Sequence, residues 1–598
     1  MPALGVPSTS SAISAEVYRQ RLGERQATLE EWLRRDRAMA TARMWAFFAI
    51  LVVLYFGTYG ALFSPAWTVL PVLAFGMLMV RHQRILEGVE RARRAVSFYQ
   101  AGLGRLEDTW AGQGVAGETW LDPAHPYAAD LDIFGPGSMF ELLCTARTEP
   151  GQARLAAWLR APAAPAAIRE RQSAVADLKD RLDLREDLAV LTAKAGVLPV
   201  ERMLEWAKAP RRLHGWGLRI LALGLAVATL WGFGYWMATG DPRPLGVLLV
   251  VEQAVLSGLA PGVGVVAQDL VPLADLETLF GYLARLEREK FTSPLMERLA
   301  GPLAMRPSAA VAKAQRLAQW LDSPRNPFFA PIAYMMMWRL QFAYEMEAWR
   351  GQWGAEVAGW LEVVAETEAL LSLASRGWER PDEVVPEVVD EGCCLEGEGL
   401  GHPLLPAATC IRNDVTFGEE RRLYVVSGSN MSGKSSFLRT IGVNTVLALA
   451  GGTVRATRLK LSPLAVGASL RVADSLQQGI SHFYAEIRRL RQITEMAGQS
   501  PTLLFLLDEM LQGTNSYDRG IGATAVLQAL VERGAIGLVT THDLNLTSIV
   551  ETLRRKAVNV HFEDHLEDGQ MKFDYTLRAG VVEKSNAVAL MRAVGLPV

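Results

Sequence analysis

The feature that most constrains the fold of this chain is the stretch at residues 424–435, which reads YVVSGSNMSGKS. An apolar run rich in Val and Tyr enters the pattern G-x-x-x-x-G-K-S, and a segment with helical spacing, FLRTIGVNTVLALA, follows it. This order of strand, glycine-rich loop and helix is the context that a phosphate-binding loop requires. A simple Gly/Ser turn is the alternative, and the flanking segments favour the phosphate-binding loop.

The polar positions of this loop have separate chemical roles. Gly428 and Gly433 allow backbone N–H groups to turn onto phosphate oxygens, and Lys434 reaches the β- and γ-phosphates. Ser435 offers a hydroxyl to Mg²⁺. We therefore predict ATP and Mg²⁺ as cofactors. The predicted nucleotide-binding residues of the loop are Gly428, Ser429, Asn430, Met431, Ser432, Gly433, Lys434, Ser435 and Ser436.

A second apolar strand ends in two carboxylates. Residues 501–510 read PTLLFLLDEM, and such a strand places Asp508 and Glu509 at the rim of the sheet, where the phosphate-binding loop also opens. Asp508 is suited to holding Mg²⁺ through water, and Glu509 to orienting and deprotonating the attacking water. The alternative is that the acidic pair only ends a strand. We predict Glu509 and Lys434 as catalytic residues and Ser435 and Asp508 as Mg²⁺ ligands.

Two further residues are predicted to complete the site. The strand AIGLVTTHD at residues 535–543 contains His542 near its end, which can touch a γ-phosphate from a neighbouring strand. Ser481 begins the helix of GISHFYAEIRRLRQI, and a serine at a helix start makes an anion-binding end. A structural histidine and simple helix capping are the respective alternatives. We predict His542 as catalytic and Ser481 as nucleotide-binding.

Half of the residues are hydrophobic, which is high for a soluble protein, and the excess is local. Residues 44–80 and 216–268 are almost free of charge, and each stretch is long enough for two membrane crossings. Buried core helices are the alternative, but they seldom run so far without a charge. We predict two transmembrane hairpins, of which the second and fourth apolar segments are the weakest spans.

Basic residues flank the predicted hairpins. Those around the first hairpin are Arg34, Arg35, Arg37 and Arg43 before it, and Arg81, Arg84, Arg91, Arg93 and Arg94 after it. By the positive-inside rule, both ends of this hairpin are cytoplasmic. Lys208, Arg211 and Arg212 before the second hairpin agree, although Arg243 lies in its turn. We predict a multi-pass protein of the cell inner (cytoplasmic) membrane, with the phosphate-binding loop in the cytosol.

Several ordered motifs lie in the last 200 residues. They are GHPLL at 401–405, RNDVTF at 412–417, GSNMSGKSS at 428–436, ISHFYAEI at 480–487, LLDEMLQGTNSYDRG at 506–520, TTHD at 540–543 and YTLRAGVVEKSNAVALMRAVGLP at 575–597. In this set and order they resemble the ATPase domain of the MutS mismatch-repair family. Segments 138–162, 168–175 and 363–381 are also similar to the helical core of that family.

The predicted fold class is α plus α/β. The resemblance implies a helical MutS-like core followed by an ABC-type P-loop ATPase domain, and the transmembrane hairpins predicted from the apolar stretches interrupt that core. The predicted segments are an N-terminal amphipathic helix (1–43), the first transmembrane hairpin (44–80), the first part of the helical core (84–215), the second transmembrane hairpin (216–268), the second part of the core with its lever (270–380) and the ATPase domain (393–598).

The resemblance also implies a homodimer with composite ATP sites. Ser481 would complete the partner's site against its γ-phosphate, and residues 514–518 would lie along the subunit interface. The family usually has Pro and Gly where this chain has Ser429 and Ser432. These differences leave the glycine, lysine and hydroxyl positions of the loop intact, so we expect catalysis to be retained.

The N-terminal part of the chain departs from the family. Members that read mismatches carry an N-terminal domain that inserts a Phe and a Glu at the mispair, followed by a connector, whereas residues 1–100 here predict a helix and a membrane hairpin. The second hairpin falls about where the family's levers extend to a DNA clamp, so we expect membrane helices to replace some or all of that clamp. The basic residues considered for DNA contact, which are more often solvated helix faces, are Arg488, Arg489, Arg491, Arg554, Arg555 and Lys556.

The predicted function is a membrane-anchored, mismatch-repair-related ATPase that couples ATP hydrolysis to dimer rearrangement and acts on DNA. A transporter is one alternative, but four spans are few and ISHFYAE stands where transporters have leucine-serine-glycine-glycine. A membrane scaffold or signalling ATPase without DNA binding is the other alternative. It would share every ATPase residue, so the sequence leaves these two functions open.

Overall fold

The structure is a computed structural model of the chain. It describes residues 9–59, 64–191, 200–213, 215–258, 262–263, 266, 273–327, 329–429, 432–470, 482–567 and 570–582. The chain divides into two compact units. The first unit comprises Met1–Thr145, Arg154–Leu182 and Ala369–Val598, and the second comprises Ala146–Ala153 and Asp183–Glu368.

The first unit begins with two long helices, α1 (Thr9–Thr58) and α2 (Val69–Leu106). Helix α1 passes without a break through the predicted boundary between residues 43 and 44, so the charged leader and the first apolar segment form one helix. The turn between the two helices contains Pro65. A 3-10 helix begins at Pro65, where the Ser64 hydroxyl accepts a hydrogen bond from the Ala66 N–H at 3.3 Å.

The helices that follow in the chain are distributed over both units. They are α3 (Met139–Leu143), α4 (Glu149–Arg160), α5 (Pro165–Leu178), α6 (Leu182–Leu191), α7 (Val200–Lys208), α8 (Gly217–Thr239), α9 (Arg243–Gly258), α10 (Leu273–Leu286), α11 (Pro294–Ala300), α12 (Pro307–Asp322), α13 (Ala330–Met335), α14 (Trp338–Trp353) and α15 (Val357–Glu379). In the second unit, α10 buries leucines at helical spacing, including Leu279 and Leu283. Trp206 of α7 stacks on Trp349 of α14 with ring centroids 5.5 Å apart.

Within the described residues, three helices are long and apolar enough to cross a membrane by length and composition. They lie at Ser11–Thr58, Ala66–Leu106 and Gly217–Thr239. The described part of the fourth apolar segment is α9, which has 16 residues. Most of residues 259–272, which follow it, lie outside the described part of the chain.

The remaining helices and the strands belong to the C-terminal part of the first unit. The helices are α16 (Lys434–Ala450), α17 (His482–Met496), α18 (Ser516–Glu532) and α19 (Ile549–Leu553). The strands are β1 (Glu387–Val388), β2 (Leu395–Leu400), β3 (Asn413–Phe417), β4 (Leu423–Ser427), β5 (Arg458–Leu461), β6 (Leu464–Ser469), β7 (Thr502–Asp508), β8 (Ile536–Thr541), β9 (Ala557–Glu567) and β10 (Gln570–Ala579).

Among the described residues, these strands form two sheets. The larger has the order β10-β9-β4-β8-β7-β6, in which only the β10–β9 pair is antiparallel. The smaller has the order β1-β5-β2-β3. Because β4, β7 and β8 are neighbouring parallel strands, their carboxyl ends meet at one edge of the larger sheet.

Strand β7 is buried on both faces, as its unbroken apolar run predicts. Phe505 belongs to a core cluster with residues of α17 and α18, such as Ile493 and Leu527. On the other face, a Cβ added at Gly442 of α16 would lie 2.7 Å from Leu506 of β7. The small residue therefore allows α16 to lie close against the sheet that holds its loop.

A buried ion pair ties the α1/α2 hairpin to the end of α15. Arg105 of α2 donates two hydrogen bonds to the carboxylate of Glu379, from Nε at 2.8 Å and from Nη2. The Tyr18 hydroxyl of α1 donates to the same carboxylate at 3.1 Å. The Glu379 side chain is only 4% exposed, so these contacts satisfy a carboxylate that water hardly reaches.

A second buried network lies between α15 and α16. Arg376 and Arg455 both pair with Glu383, at 2.6 Å and 3.3 Å. The backbone N–H of Arg455 donates to the amide oxygen of Asn444 at 2.9 Å, and Asn444 lies on α16. The helix that follows the phosphate-binding loop is thus held to the end of α15 by charged and polar side chains within one unit.

Candidate functional site

The glycine-rich loop joins the end of β4 to the start of α16, which is the strand–loop–helix arrangement that the sequence predicts. Gly428 and Gly433 have φ values of +151° and +102°, which residues with a side chain rarely adopt. A Cβ at Gly428 would also lie 2.8 Å from the Ser432 hydroxyl oxygen. Asn430 and Met431, two predicted nucleotide-binding residues, lie outside the described residues.

The loop fits a phosphate group. The Ser432 side chain is buried, and its hydroxyl has no hydrogen-bond partner within the described part of the chain. Ser435 lies in the first turn of the 17-residue helix α16, where backbone N–H groups favour an anion, and Ser436 beside it is exposed. A narrow glycine cradle with an unsatisfied hydroxyl suits a ligand that carries acceptor oxygens.

Lys434 lies at the centre of the site. Its side chain is 4% exposed, and its Nζ donates hydrogen bonds to the carbonyls of Gly428 and Ser429, both at 2.8 Å. The same Nζ lies 3.6 Å from Oε1 of Glu509. Burial lowers the pKa of Lys434, and the charges of Glu509 and Asp508 partly oppose that shift. The ammonium group is therefore held beside Glu509, the predicted catalytic base, and near Asp508, the predicted Mg²⁺ ligand.

The two predicted carboxylates lie at the end of β7, beside Thr540 of β8. The Thr540 hydroxyl donates a hydrogen bond to Asp508 and accepts one from the Glu509 N–H at 3.0 Å. Glu509 has a φ of +46°, a left-handed conformation that is costly for a residue with a side chain. Thr540 therefore holds both the Asp508 carboxylate and the backbone of Glu509.

His542 follows β8 and lies close to Glu509. Its Nδ1 is 3.5 Å from Oε2 of Glu509, and its side chain is half exposed. The Gln512 amide donates a hydrogen bond to the same Oε2. A cavity of about 20 Å³ bordered by Glu509, Gln512 and His542 has room for about one water molecule. The structure thus brings together Lys434, Asp508, Glu509 and His542.

Ser481 lies outside the described residues, and the helix that it was predicted to begin is described from His482 onward. This helix, α17, contacts the loop that follows β7: the Glu486 carboxylate accepts a hydrogen bond from the Leu511 N–H. A Cβ at Gly513 of the same loop would lie 2.7 Å from Phe483. The helix is therefore packed directly against the segment that carries Glu509.

The basic residues considered for DNA contact differ in their surroundings. Arg489 donates to the carbonyls of Pro123, Ala124 and His125, and its Nη2 lies 3.6 Å from Asp130. These contacts make Arg489 a structural residue. Arg491 pairs with Glu495 at 2.7 Å, whereas Arg488 and residues 554–556 are exposed.

Three residues near the site have no role in the sequence-based prediction. Thr540 and Gln512 contact the acidic pair, and the motifs TTHD and LLDEMLQGTNSYDRG contain them without indicating those contacts. Tyr575 is the third, because a Cβ at Gly433 would lie 2.8 Å from its ring. The Asn413 side chain holds this tyrosine by donating to its carbonyl at 2.9 Å. No local pattern signals a contact across such a distance in sequence.

A buried histidine next to this domain's core gives a testable pH dependence. Burial, together with the charges of Arg439 and Arg455, lowers the pKa of His402 to about 4. The unfolded chain takes up this proton near its ordinary value of 6.5, so the stability that neutral His402 contributes is present above pH 6.5 and is lost as pH falls toward 4. Between pH 7 and 4.5, we expect the wild type to lose about 2–3 kcal/mol more unfolding free energy than the His402→Asn variant.

Pulse proteolysis of the full chain in detergent, at a series of denaturant concentrations and pH values, would measure this difference. His561→Asn is a matched control, because it removes another buried histidine from the same part of the chain. Parallel pH profiles for wild type and His402→Asn would contradict the expectation.

Comparison with known proteins places this site in context. Residues 424–598 match the family described as MutS domain V. The chain is 34% identical over 204 residues to Endonuclease MutS2 of Thermus thermophilus, a match that covers 33% of this chain and 26% of that protein. It is 32% identical over 244 residues to DNA mismatch repair protein MutS of Aquifex pyrophilus, covering 39% of this chain and 27% of that protein.

A third relative is DNA mismatch repair protein MutS 1 of Halobacterium salinarum. It is 34% identical over 242 residues, again covering 39% of this chain and 27% of the relative. The chain therefore spans only about a quarter of the length of the curated relatives that it matches. The family match at residues 424–598 contains the glycine-rich loop and the strand that ends at Asp508.

Proposed function

The chain is a member of the MutS family through its C-terminal ATPase domain, and from this premise we propose that it is a membrane-anchored ATPase that couples ATP hydrolysis to dimer rearrangement and acts on DNA. The observation that carries the proposal is the convergence of Lys434, Asp508 and Glu509 at one edge of the sheet. Lys434 Nζ lies 3.6 Å from Glu509, on the loop that supplies the phosphate cradle.

The residues of this edge divide the work of hydrolysis. Lys434 and the N–H groups at the start of α16 bind the β- and γ-phosphates and stabilise charge that develops there. Glu509 orients the attacking water and accepts its proton, because its carboxylate faces both Lys434 and His542. His542 lies on the outer side of Glu509, where it can contact the γ-phosphate. Thr540 acts as a positioning residue, because it holds the Asp508 carboxylate and the Glu509 backbone.

Ser435 and Asp508 are the residues that would hold Mg²⁺. The hydroxyl of Ser435 and the carboxylate of Asp508 are oxygen donors of the kind this cation prefers, and they lie on the loop and strand ends that meet at the sheet edge. The bound cation would neutralise charge on the β- and γ-phosphate oxygens. Asp508 is already held by the Thr540 hydroxyl, so its carboxylate is oriented by the protein itself.

We propose that α1, α2 and α8 cross the cytoplasmic membrane. Their exposed surfaces are apolar, with Phe48, Leu73 and Val227 each about half exposed or more. Water would not favour such continuous apolar helix surfaces, whereas lipid would. The arginines at the ends of the first hairpin support a cytosolic position for the ATPase domain.

The dimer is supported by an apolar surface beside the site. Tyr517 and Ile521, one turn apart on α18, are 76% and 56% exposed, and Leu544 near them is 51% exposed. Residues 514–518, for which the family resemblance implies a position at the subunit interface, lie at the start of α18 and just before it. A second copy covering this surface would bring its own Ser481 to the nucleotide.

Mixed dimers test this composite site. A Lys434→Ala chain and a Ser481→Ala chain should each be inactive, because every site in either homodimer lacks one of the two residues. When the two are mixed, half of the dimers contain one intact site, so about a quarter of wild-type ATP turnover is expected. Steady-state phosphate release in detergent measures it.

The control for this experiment mixes Lys434→Ala with Glu509→Gln, two changes within one chain's half of the site. Lys434 and Glu509 of one site are supplied by the same chain, so each site of the heterodimer lacks one of the two residues and no recovery is expected. Recovery in this control, or its absence in the first mixture, would count against a composite site.

DNA is proposed as the substrate because two of the relatives are named DNA mismatch repair proteins and a third an endonuclease. The alternative is a scaffold, signalling or transport role without DNA binding. The exposed residues Arg554, Arg555 and Lys556 are the basic cluster available to DNA on the ATPase domain. Substituting all three with Gln should weaken DNA binding without changing basal ATP turnover if DNA is the ligand.

A further inference from the structure

The α1/α2 hairpin contains a groove where its cytosolic part meets the predicted membrane segment. Three contacts set the antiparallel register of the two helices. A Cβ at Gly88 would lie 2.7 Å from the Trp32 ring, His82 Nε2 lies 2.6 Å from Asp36, and Arg43 lies 6.0 Å from the Phe75 ring centroid. Towards the membrane, α1 therefore runs with rising residue number and α2 with falling residue number.

Small residues open the groove between these contacts. Ala38 and Ala42 of α1 and Gly76 of α2 line it, and a Cβ at Gly76 would meet no atom within 4 Å. The resulting space has a volume of about 1150 Å³. Large apolar side chains form its walls, of which Leu73, Met77 and Val80 are 61%, 74% and 62% exposed.

The two ends of the groove differ in polarity. The apolar walls lie on the membrane side, whereas Trp32, Arg35, Arg81 and Arg84 line the cytosolic end. An apolar channel that ends in arginines and a tryptophan at the membrane surface matches the division of a phospholipid into acyl chain and anionic headgroup.

The charges around the groove leave a positive excess. Glu31 pairs with Arg35, and Asp36 pairs with His82, whose other ring nitrogen faces Arg43. Arg81 and Arg84 are exposed, and the residues that line the groove include no acidic side chain. The arginines of α2 therefore supply two cationic groups next to the apolar channel.

We propose that this groove binds an anionic glycerophospholipid of the cytosolic leaflet, with its phosphate between Arg81 and Arg84 and an acyl chain along Leu73, Met77 and Val80. The proposal rests on the membrane placement given under the proposed function. The apolar channel opens towards the hydrocarbon region, where lipid chains are the abundant apolar partner and where a soluble peptide would leave backbone groups unsatisfied.

Native mass spectrometry of the full chain in mild detergent can test the site with phosphatidylglycerol, phosphatidylcholine and glycerol 3-phosphate as probes. The wild type should bind phosphatidylglycerol at least about tenfold more tightly than phosphatidylcholine. An Arg81→Gln/Arg84→Gln variant should lose this preference. Gly76→Leu should lose lipid binding by filling the groove, and it should still fold because the added side chain replaces a helical glycine in open space.

The matched control is Arg34→Gln/Arg37→Gln, which removes two arginines from the same end of the hairpin but not from the groove lining. It should keep the preference. Equal losses from both arginine pairs would show general surface attraction and overturn the site. So would unchanged lipid binding in Gly76→Leu, or competition by glycerol 3-phosphate as strong as by the lipid.

Two further measurements separate this proposal from the proposed function. Release of the wild type from membranes by alkaline carbonate would refute the membrane placement and the lipid site together. If the wild type preferred phosphatidylglycerol but showed no ATP turnover or no DNA binding, only the proposed function would be refuted. Conversely, an active membrane ATPase without lipid preference would refute only the groove.

Discussion

A Glu509→Gln variant is expected to hydrolyse ATP about 10²- to 10⁴-fold more slowly than the wild type while binding ATP at least as tightly. The change preserves the size of the side chain and removes only the ability to accept a proton. It also removes a negative charge 3.6 Å from Lys434, which leaves that ammonium freer to pair with phosphate oxygens. Single-turnover kinetics and equilibrium binding of ATP measure the two effects separately.

Two controls accompany this variant. Lys434→Ala should lose ATP binding as well as turnover, because it removes the cation of the phosphate cradle. Glu551→Gln, which changes an exposed glutamate of α19, should leave both unchanged. A Glu509→Gln protein whose kcat stays within about threefold of wild type would show that another group acts as the base.

An Arg105→Met variant is expected to lower the unfolding free energy of the first unit by about 3–5 kcal/mol. The substitution leaves the Glu379 carboxylate, which is 4% exposed, without its two guanidinium hydrogen bonds. The remaining donor from Tyr18 at 3.1 Å satisfies only part of that charge. Pulse proteolysis in denaturant would follow the effect.

A double-mutant comparison separates the loss of the pair from the loss of packing. Arg105→Met/Glu379→Leu should recover most of the stability, because no charge is then left buried. Tyr18→Phe should cost only about 0.5–1.5 kcal/mol, the usual value of one hydrogen bond. If Arg105→Met were within about 1 kcal/mol of wild type, the pair would not hold the hairpin to α15.

Local patterns in the sequence predicted the parts of the site that are continuous in the chain. The loop at residues 424–435 lies between strand and helix as its pattern requires, and β7 ends at Asp508 and β8 just before His542. These predictions succeed because apolar strands of a parallel sheet must end at a common edge.

The sequence could not predict contacts that depend on tertiary packing. Arg105 and Glu379 are 274 residues apart, and nothing in either helix indicates the other. The left-handed conformation of Glu509 also has no local signature, because its stabilising partner Thr540 comes from another strand. Helix α1 continues through the predicted segment boundary at residue 43, because no Pro or Gly interrupts the chain there.

DNA binding by the full chain in lipid nanodiscs tests the central claim most directly. Fluorescence anisotropy with labelled duplex and branched DNA, over a range of salt, would compare the Glu509→Gln protein holding ATP with the same protein holding ADP. A membrane-anchored MutS-type ATPase that acts on DNA should bind in a salt-dependent manner and with a Kd that differs between the two nucleotides. If neither nucleotide state showed salt-sensitive DNA binding, while the wild-type protein in the same nanodiscs hydrolysed ATP, the account would be contradicted. A membrane ATPase without a DNA substrate would then be favoured.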